Sequence, residues 1–442
     1  MARRLWRVAI TIAGSDSGGG AGIQADLKTF AALGVHGTTA ITSITAQNTY
    51  QVTAVQDVPP EIVYEQIKAV AEDMGIDAGK TGMLSNKEII LAVARALSDY
   101  PFPLVIDPVM VAKSGARLLR EDALEALKRE LLPKAKVITP NRWEAEILAG
   151  FKIETLEDAK KAAEVIAEGY GCEAVVVKGG HLKIEDSSDI LYWQGRHYKI
   201  PGPRIEDACT HGTGCSFSAA IAAYLAQGLD VYKAVVEAKK FITVAIDYGV
   251  KVGKGFCPVN PTAWLELPAQ RYRVLENVEK ALRKMFNLRE KIMKVASQTE
   301  IEVSERISSR YVRGLEDVVT ASLDLAKAQE FEITLRSRPR TAEFLIYLAS
   351  LDPELQATIT LRYNEKLIER AIDEGYTVAC LELPREASAI EMIKEATKRA
   401  GGKVPDVICE GVGSDALIRL TARSSVEAVE KLERILREVA NS

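Results

Sequence analysis

A chain of 442 residues is long enough for two or three domains, which makes one single fold the less expected arrangement. Hydrophobic residues form 47% and charged residues 27% of the chain, a composition that excludes a disordered or collagen-like protein. The 57 basic and 61 acidic residues nearly cancel, and dividing them at Arg271 leaves neither part basic, so nucleic acid is not expected as a partner.

Two further features concern the compartment. No apolar run reaches the roughly 20 residues that cross a bilayer, and no signal-peptide core precedes the first strand. We therefore expect a cytoplasmic protein without a membrane partner. The cysteines contain no C-x-x-C pair and no histidine at zinc-ligand spacing, which favours reduced thiols. They are Cys172, Cys209, Cys215, Cys257, Cys380 and Cys409.

From Val8 to about Val259, short β-branched segments alternate with amphipathic segments of helical spacing. The predicted strands are residues 8–13, 39–44, 104–107, 136–139 and 174–178, with helices at 60–74, 86–97, 122–132 and 156–170. Residues 189–199 predict a hairpin at the sheet edge, and helices at 214–227 and 231–248 follow. The pattern predicts an α/β fold in which a doubly wound, mostly parallel sheet has helices on both faces.

Three prolines within residues 257–268 predict a domain boundary, because proline ends regular structure. We place the two domains at residues 1–265 and 266–442. The second domain has a smaller α/β pattern, with strands near 332–335, 357–361, 377–383 and 406–408 and helices at 341–348, 365–374, 388–399 and 426–439.

The loop Gly14-Ser-Asp-Ser-Gly-Gly-Gly-Ala-Gly22 joins the first strand to a helix. Its glycines let the backbone approach a ligand and the helix N-terminus favours anionic groups, with simple chain reversal as the alternative. The loop has no G-x-G-x-x-G register and no P-loop lysine, and Gly79-Lys80-Thr81 lacks the first P-loop glycine. A nucleotide must be held in some other way.

The segment Thr210-His-Gly-Thr-Gly-Cys215 opens an apolar helix. Successive backbone N–H groups there would form a hole for the charge of a phosphoryl group in transfer. They belong to Gly212, Thr213, Gly214 and Cys215. The positive helix end would also favour the Cys215 thiolate, and a small buried apolar cysteine is the alternative.

Polar side chains follow three predicted strands, where an open parallel sheet binds its ligands. Asp107 and Glu144 are acidic groups of the kind that hold magnesium, while Asn141 and Lys178 could meet phosphates. Each could instead cap a helix or a turn. Together with the missing P-loop they favour phosphoryl transfer.

Eight segments between Val8 and Trp264 form a dense set of motifs. They are Ile12-Ala-Gly-Ser-Asp, Gly19-Gly-Ala-Gly-Ile-Gln-Ala-Asp-Leu-Lys-Thr-Phe30, Ala46-Gln-Asn-Thr49, Gly82-Met-Leu84, Lys113-Ser-Gly115, Ile138-Thr-Pro-Asn141, Lys178-Gly-Gly-His181 and Thr210-His-Gly-Thr-Gly-Cys215. This part of the chain resembles the hydroxymethylpyrimidine and hydroxymethylpyrimidine-phosphate kinases of thiamine biosynthesis, within the ribokinase-like superfamily. Relatives in the superfamily usually carry aspartate as the base, whereas this family commonly has cysteine.

The resemblance implies phosphorylation of 4-amino-5-hydroxymethyl-2-methylpyrimidine and then of its monophosphate, with ATP and Mg²⁺ as cofactors, by a homodimer. It implies that the pyrimidine contacts Gly14, Asp26, Gln47, Met83 and Val109, that ATP contacts Asn141, Lys178 and Thr210, and that Mg²⁺ is held by Asp107 and Glu144. Catalysis falls to Gly212, Thr213, Gly214 and Cys215, with Cys215 as the base. A pyridoxal kinase, which shares this fold, is the alternative.

Three segments of the second domain are Ala357-Thr-Ile-Thr-Leu-Arg-Tyr-Asn-Glu-Lys-Leu367, Ala371-Ile-Asp-Glu-Gly375 and Pro405-Asp-Val-Ile-Cys-Glu-Gly-Val-Gly413. With them, residues 271–439 resemble, more weakly, the ThiN-type thiamine-phosphate synthase domain. Such domains carry an F-G-A-S-R-H-like segment, which here reads Leu335-Arg-Ser-Arg-Pro-Arg-Thr-Ala-Glu343, and no histidine follows His211.

The arginines of that segment, Arg336, Arg338 and Arg340, could bind phosphates or lie in a solvated turn. Three interpretations of the domain stay open: a divergent synthase that takes thiazole phosphate, a non-catalytic sensor of thiamine phosphates, or a structural dimerisation module. We expect a degenerate domain.

Overall fold

The computed structural model describes residues 5–111, 118–119, 121–181, 186–295, 300–325, 334–335, 339–382, 387–411 and 416–437. The chain divides into two compact units, Met1–Leu265 and Glu266–Ser442. No helix within the described ranges is both long enough and apolar enough to span a membrane. The Lys113-Ser-Gly115 motif, Arg336 and Arg338 lie outside the described residues.

Nine strands of the first unit form one sheet. They are β1 (Val8–Asp16), β2 (His36–Gln47), β3 (Val52–Asp57), β4 (Ala78–Thr81), β5 (Leu104–Ile106), β6 (Val137–Ile138), β7 (Ala174–Val177), β8 (Asp189–Trp193) and β9 (Arg196–Ile200). The order across the sheet is β3-β2-β1-β4-β5-β6-β7-β8-β9. The strands from β2 to β7 in that order pair in parallel, while β3 and the β8–β9 hairpin pair antiparallel at the two edges. The predicted mostly parallel sheet and its edge hairpin are confirmed.

Helices cover both faces of this sheet. They are α1 (Gly22–Ala32), α2 (Pro60–Asp73), α3 (Lys87–Asp99), α4 (Glu121–Ala126), α5 (Arg142–Ala149), α6 (Leu156–Tyr170), α7 (Thr213–Ala226) and α8 (Val231–Asp247). Because side chains alternate along a strand, Ile10 and Ile12 of β1 belong to a core cluster with α2, α3 and α6. Ala9 belongs to the opposite cluster, with Phe30 of α1 and Phe217 of α7. The sheet therefore lies between two apolar layers and is open to ligands only at the strand ends.

The second unit is a seven-stranded sheet with helices. Its elements are α9 (Ala263–Asn287), which begins at the end of the first unit, α10 (Arg289–Val295), β10 (Glu300–Arg306), β11 (Val318–Asp324), β12 (Thr334–Leu335), α11 (Pro339–Leu351), β13 (Ala357–Arg362), α12 (Glu365–Asp373), β14 (Val378–Leu381), α13 (Ala389–Arg399), β15 (Val407–Glu410), β16 (Leu417–Ala422) and α14 (Ser425–Leu436). The strand order is β12-β11-β10-β13-β16-β15-β14, antiparallel except for the β14–β15 pair. Pro268 lies inside α9, so the proline-rich segment contains a helix start.

The expectation of reduced thiols is wrong for four cysteines, because the structure has disulfides between Cys209 and Cys257 and between Cys380 and Cys409. The partners are 48 and 29 residues apart in sequence, so spacing gives no sign of either pair. The fold brings them together: Cys380 and Cys409 lie opposite each other in the β14–β15 ladder. Cys172 and Cys215 carry free thiols.

Candidate active site

The carboxyl ends of the parallel strands meet at one cavity of about 890 Å³. Residues that line it lie at the carboxyl ends of β1, β2 and β4 or follow β4, β5, β6 and β7, as expected for ligands at the carboxyl edge of an open sheet. Of the residues predicted for the kinase site, those that line the cavity are Gly14, Gln47, Met83, Asp107, Val109, Asn141, Glu144, Lys178, Thr210, Gly212, Thr213, Gly214 and Cys215. Asp26 is not among the lining residues.

The N-terminus of α7 points its first amides at this cavity. Gly212 is the N-cap residue with a φ of 81°, a left-handed conformation that favours glycine. A Cβ atom at Gly212 would also clash with the carbonyl oxygen of Gly20. Because first-turn amides have no acceptor within their own helix, those of Gly214 and Cys215 are available to a phosphoryl group.

Cys215 lies in the first turn of α7 and lines the cavity. Burial raises the pKa of this thiol to about 11, while the charge of Lys80 works in the opposite direction. The expected thiolate is therefore not the resting form, because desolvation and the charges of Asp26 and Asp107 outweigh that of Lys80.

Two carboxylates and a lysine lie beside the amides at the start of α7. Lys178 Nζ is 3.0 Å from Asp107 Oδ1, and a Cβ atom at Gly214 would lie 3.2 Å from Asp107 Oδ2. Glu144 is buried in the first turn of α5, where its Oε2 accepts the Asn141 amide at 2.8 Å. Burial raises the pKa of Glu144 to about 7, Lys178 opposes this rise, and Asp107 adds to it.

This donor set fits one kind of metal site. No group of three or more His, Cys, Asp or Glu side chains that could hold a metal occurs within the described residues. Mg²⁺ is usually bound by one or two carboxylates together with substrate phosphates and water, so Asp107 and Glu144 are sufficient.

A buried ion pair below the cavity was not predicted from the sequence. Lys80 Nζ of β4 is 2.8 Å from Asp26 Oδ2 of α1, and Thr11 donates to the same oxygen at 2.6 Å. Both charged side chains are fully buried, but Lys80 lines the cavity and Asp26 does not. Asp26 thus pairs with a residue that lines the cavity, and its expected contact with the pyrimidine stays a prediction. The only hint of Lys80 in the sequence was the segment Gly79-Lys80-Thr81, which was set aside because it does not form a P-loop.

Lys239 and Asp189 form a second unpredicted pair at the cavity wall. Lys239 Nζ is 2.9 Å from Asp189 Oδ2 and donates to the Ser187 carbonyl at 2.6 Å. Both side chains line the cavity and both are almost wholly buried. Lys239 comes from the middle of α8, where its position within an apolar helical face gave no sequence signal.

In the second unit, Arg340 is the only described residue of the three predicted phosphate-binding arginines. It lies in the first turn of α11, is half exposed, and has its Nη2 atom 3.7 Å from Glu410 Oε2. Glu410 also pairs with the buried Arg419 at 2.9 Å. Arg340 thus lies in a helix, next to the ion pair of Glu410 and Arg419.

Comparisons with known proteins agree with this geometry. The family model of phosphomethylpyrimidine kinase matches residues 16–260, and that of thiamine-phosphate synthase ThiN matches residues 277–434. The hydroxymethylpyrimidine/phosphomethylpyrimidine kinase of Rhizobium meliloti is 49% identical over 257 residues, which cover 57% of this chain and 96% of that protein. The thiamine biosynthesis bifunctional protein ThiED of Geobacter sulfurreducens is 47% identical over 252 residues, which cover 57% of this chain and 51% of that protein. The pyridoxal kinase of Staphylococcus aureus, solved with AMP-PCP and pyridoxal, has a TM-score of 0.55 at 37% identity, and the match covers 59% of this chain and 95% of that one.

Proposed function

Because this chain belongs to the phosphomethylpyrimidine kinase family, we propose that it transfers the γ-phosphoryl group of ATP to 4-amino-5-hydroxymethyl-2-methylpyrimidine. A second transfer to the monophosphate would then give the diphosphate. The observation that carries the proposal is the single cavity in which the α7 amides, the Cys215 thiol and the Asp107–Lys178 pair meet. These are the parts that phosphoryl transfer without a P-loop requires.

The pyrimidine would lie at the β1–β2–β4 end of the cavity, against Gly14, Gln47, Met83 and Val109. Gln47 has both a donor and an acceptor, which suits an aminopyrimidine edge. Gly14 allows a close approach, because a Cβ atom there would lie 3.2 Å from the Met83 sulfur. Lys80 would contribute positive charge beside Cys215, held in place by Asp26.

Transfer would depend on Cys215 and the amides at the start of α7. The substrate hydroxyl attacks the γ-phosphorus, the bond to the leaving ADP oxygen breaks, and the hydroxyl proton passes to the Cys215 sulfur. The amides of Gly214 and Cys215 would hold the equatorial oxygens of the transferring group, whose charge grows as the bond breaks. Because the pKa of Cys215 is raised to about 11, the proton is accepted by the minor fraction of the enzyme in which Cys215 is a thiolate.

The nucleotide would lie beside α5 and α7, with Asn141, Lys178 and Thr210 near its phosphates. Asp107 and Glu144 would hold Mg²⁺, which would supply positive charge to offset that of the phosphates. Lys178 pairs with Asp107 at 3.0 Å, which holds its ammonium group beside the place proposed for the phosphates. The family also supports a cytoplasmic homodimer, which sedimentation of the purified chain would test.

The proposal is tested by following the product with the full chain, Mg-ATP and the pyrimidine. Cys215→Ala should lower kcat by about 10²- to 10⁴-fold with little change in KM for the pyrimidine, the range for loss of a general base. Cys172→Ala removes the other free thiol, which is buried away from the cavity, and should leave kcat unchanged. Full turnover by the Cys215→Ala enzyme would refute the assigned role.

Pyridoxal kinase is the second candidate, and the structural similarity to the S. aureus enzyme favours it. Sequence identity favours the pyrimidine kinase, at 49% against 37%. Equal amounts of pyridoxal and hydroxymethylpyrimidine in one reaction would separate the two, because the preferred substrate is consumed first.

For the second unit we propose a ThiN-type domain that binds thiamine phosphates without the synthase reaction. Its match to the ThiN model and the position of Arg340 beside Glu410 support ligand binding, while the lack of any histidine beyond His211 argues against full activity. Incubation with pyrimidine diphosphate, thiazole phosphate and Mg²⁺ should give no thiamine phosphate. Product at useful turnover would overturn the proposal.

A further inference from the structure

Two loops that line the cavity are in direct contact. One is the glycine-rich loop of residues 14–22 and the other is the turn of residues 210–215 before α7. Gly20 packs so tightly against Gly212 that a Cβ atom on Gly212 would lie 1.8 Å from the Gly20 carbonyl oxygen. The position of the α7 amides therefore depends on the conformation of the glycine-rich loop.

Asp16 holds that loop in its conformation. Its Oδ1 atom accepts the Gly18 amide at 2.8 Å, and its Oδ2 atom accepts the amides of Gly20 at 3.1 Å and Ala21 at 2.8 Å. Burial alone would raise the pKa of Asp16, but the hydrogen bonds from His211, Gly18 and Ala21 outweigh burial and lower it. The carboxylate is thus ionised and can only accept hydrogen bonds.

His211 joins this carboxylate to the second loop. Its Nε2 atom is 3.2 Å from Asp16 Oδ2, and because the carboxylate only accepts, Nε2 must carry the proton. The His211 backbone is fixed independently: its amide donates to the Cys257 carbonyl at 3.1 Å and its carbonyl accepts the Val259 amide at 3.0 Å. The imidazole also fills the space above Gly20, where a Cβ atom would clash with the ring.

We propose that the hydrogen bond between His211 and Asp16 positions the α7 amides relative to the substrate held by the glycine-rich loop. His211 immediately precedes Gly212, and Asp16 lies two residues after Gly14. Both are positioning residues, acting on the transferring group through the backbone. This role rests on the proposed kinase function, since it concerns phosphoryl transfer in the same cavity.

Two substitutions of His211 separate the hydrogen bond from mere packing. Glutamine places an amide N–H where Nε2–H lies, whereas leucine fills space without a donor. His211→Leu should lower kcat for pyrimidine phosphorylation by about 10- to 100-fold while KM for the pyrimidine stays within about threefold, because the amides act in the transition state. His211→Gln should recover most of the lost kcat. Equal losses in the two variants, or no loss in His211→Leu, would overturn the proposal.

A second measurement does not need activity. The chain has four histidines, so ¹⁵N-histidine labelling gives few imidazole signals, and His211→Gln identifies the one that it removes. The His211 Nε2–H signal should be protected from exchange in the wild-type protein and lose that protection in Asp16→Asn. An unprotected signal in the wild type would contradict the pair even if the pyrimidine is phosphorylated. If the pyrimidine is not a substrate but the signal behaves as expected, the pair stands and the kinase assignment fails.

Discussion

The Nζ atom of Lys80 lies 2.8 Å from Oδ2 of Asp26, and neither side chain is exposed to solvent. Burial is the largest single influence and would lower the pKa of Lys80, but Asp26, Cys215 and Asp107 together outweigh it and raise the pKa, so the ammonium group stays charged. Since Lys80 lines the cavity, the pair carries a positive charge into the site from a fully buried position.

Breaking this pair should cost much stability. Lys80→Met leaves the Asp26 carboxylate buried without its cation, which typically costs about 3 to 5 kcal/mol. Lys80→Met with Asp26→Leu should restore most of that loss, and the exposed Lys87→Met should change little. All four tryptophans, Trp6, Trp143, Trp193 and Trp264, precede Glu266, so tryptophan fluorescence during urea unfolding reports on the first unit. A Lys80→Met protein as stable as Lys87→Met would be evidence against a charged pair.

The rate of transfer should rise with pH if the Cys215 thiolate is the active form. With a pKa of about 11, the thiolate fraction grows tenfold per pH unit below that value, so log kcat should rise with a slope near one between about pH 7 and pH 10. Cys215→Asp supplies a base with an ordinary carboxyl pKa and should flatten the profile while keeping measurable turnover. A flat wild-type profile, or a rising one in Cys215→Asp, would contradict this role of the thiol.

Glu144 should make the metal-free protein less stable as pH rises. Its pKa is raised from 4.5 to about 7, so between those values the folded state binds a proton that the unfolded state has lost. Stability therefore falls as pH rises through this window and changes no further above it. Glu144→Gln removes the effect, so the variant should gain stability over the wild type from pH 5 to pH 8, by a few kcal/mol at about 1.4 kcal/mol per pKa unit.

The same variant tests the metal site. Glu144→Gln should need more Mg²⁺ for half-maximal rate, whereas Glu146→Gln, two residues along α5, should not, because Glu146 pairs with Arg142 and Lys152. An unchanged Mg²⁺ requirement in Glu144→Gln would exclude this carboxylate as a ligand.

The Cys209–Cys257 disulfide should stabilise the first unit. Closing a loop with a sequence separation of 48 residues restricts the unfolded chain by about 4 kcal/mol in the chain-entropy model. Replacing both cysteines with alanine should lower the urea midpoint seen by tryptophan fluorescence. A reductant should lower the wild-type midpoint in the same way and leave that of the double variant unchanged; equal midpoints for all four samples would show that no such bond forms.

The periodicity of apolar residues in the sequence was sufficient to predict the helices and strands whose buried positions are occupied by apolar side chains. It missed β4 because Ala78-Gly-Lys-Thr81 contains one β-branched residue and a lysine, and only the fold reveals that Asp26 makes the burial of Lys80 possible. The periodicity missed β10 for a related reason. Ser304, Glu305 and Arg306 are buried in this strand, although polar residues are usually expected at the surface.

Local motifs identified most of the cavity, because the residues of a strand end and the loop after it are adjacent in sequence. Contacts between distant segments escaped them. Asp16 and His211 are 195 residues apart, and Cys209 and Cys257 are 48 apart, so neither pairing leaves a local pattern. The motif that contains Asp26 predicts its contact with the substrate but gives no sign of its pairing with Lys80.

The central claim is that the cavity phosphorylates a hydroxymethylpyrimidine. Its most direct test is kcat/KM of the purified full chain for hydroxymethylpyrimidine and for pyridoxal, measured side by side with Mg-ATP. We predict that the pyrimidine is preferred by at least about tenfold, equivalent to about 1.4 kcal/mol of transition-state binding. An equal or greater kcat/KM for pyridoxal, or no phosphorylation of the pyrimidine, would contradict the account.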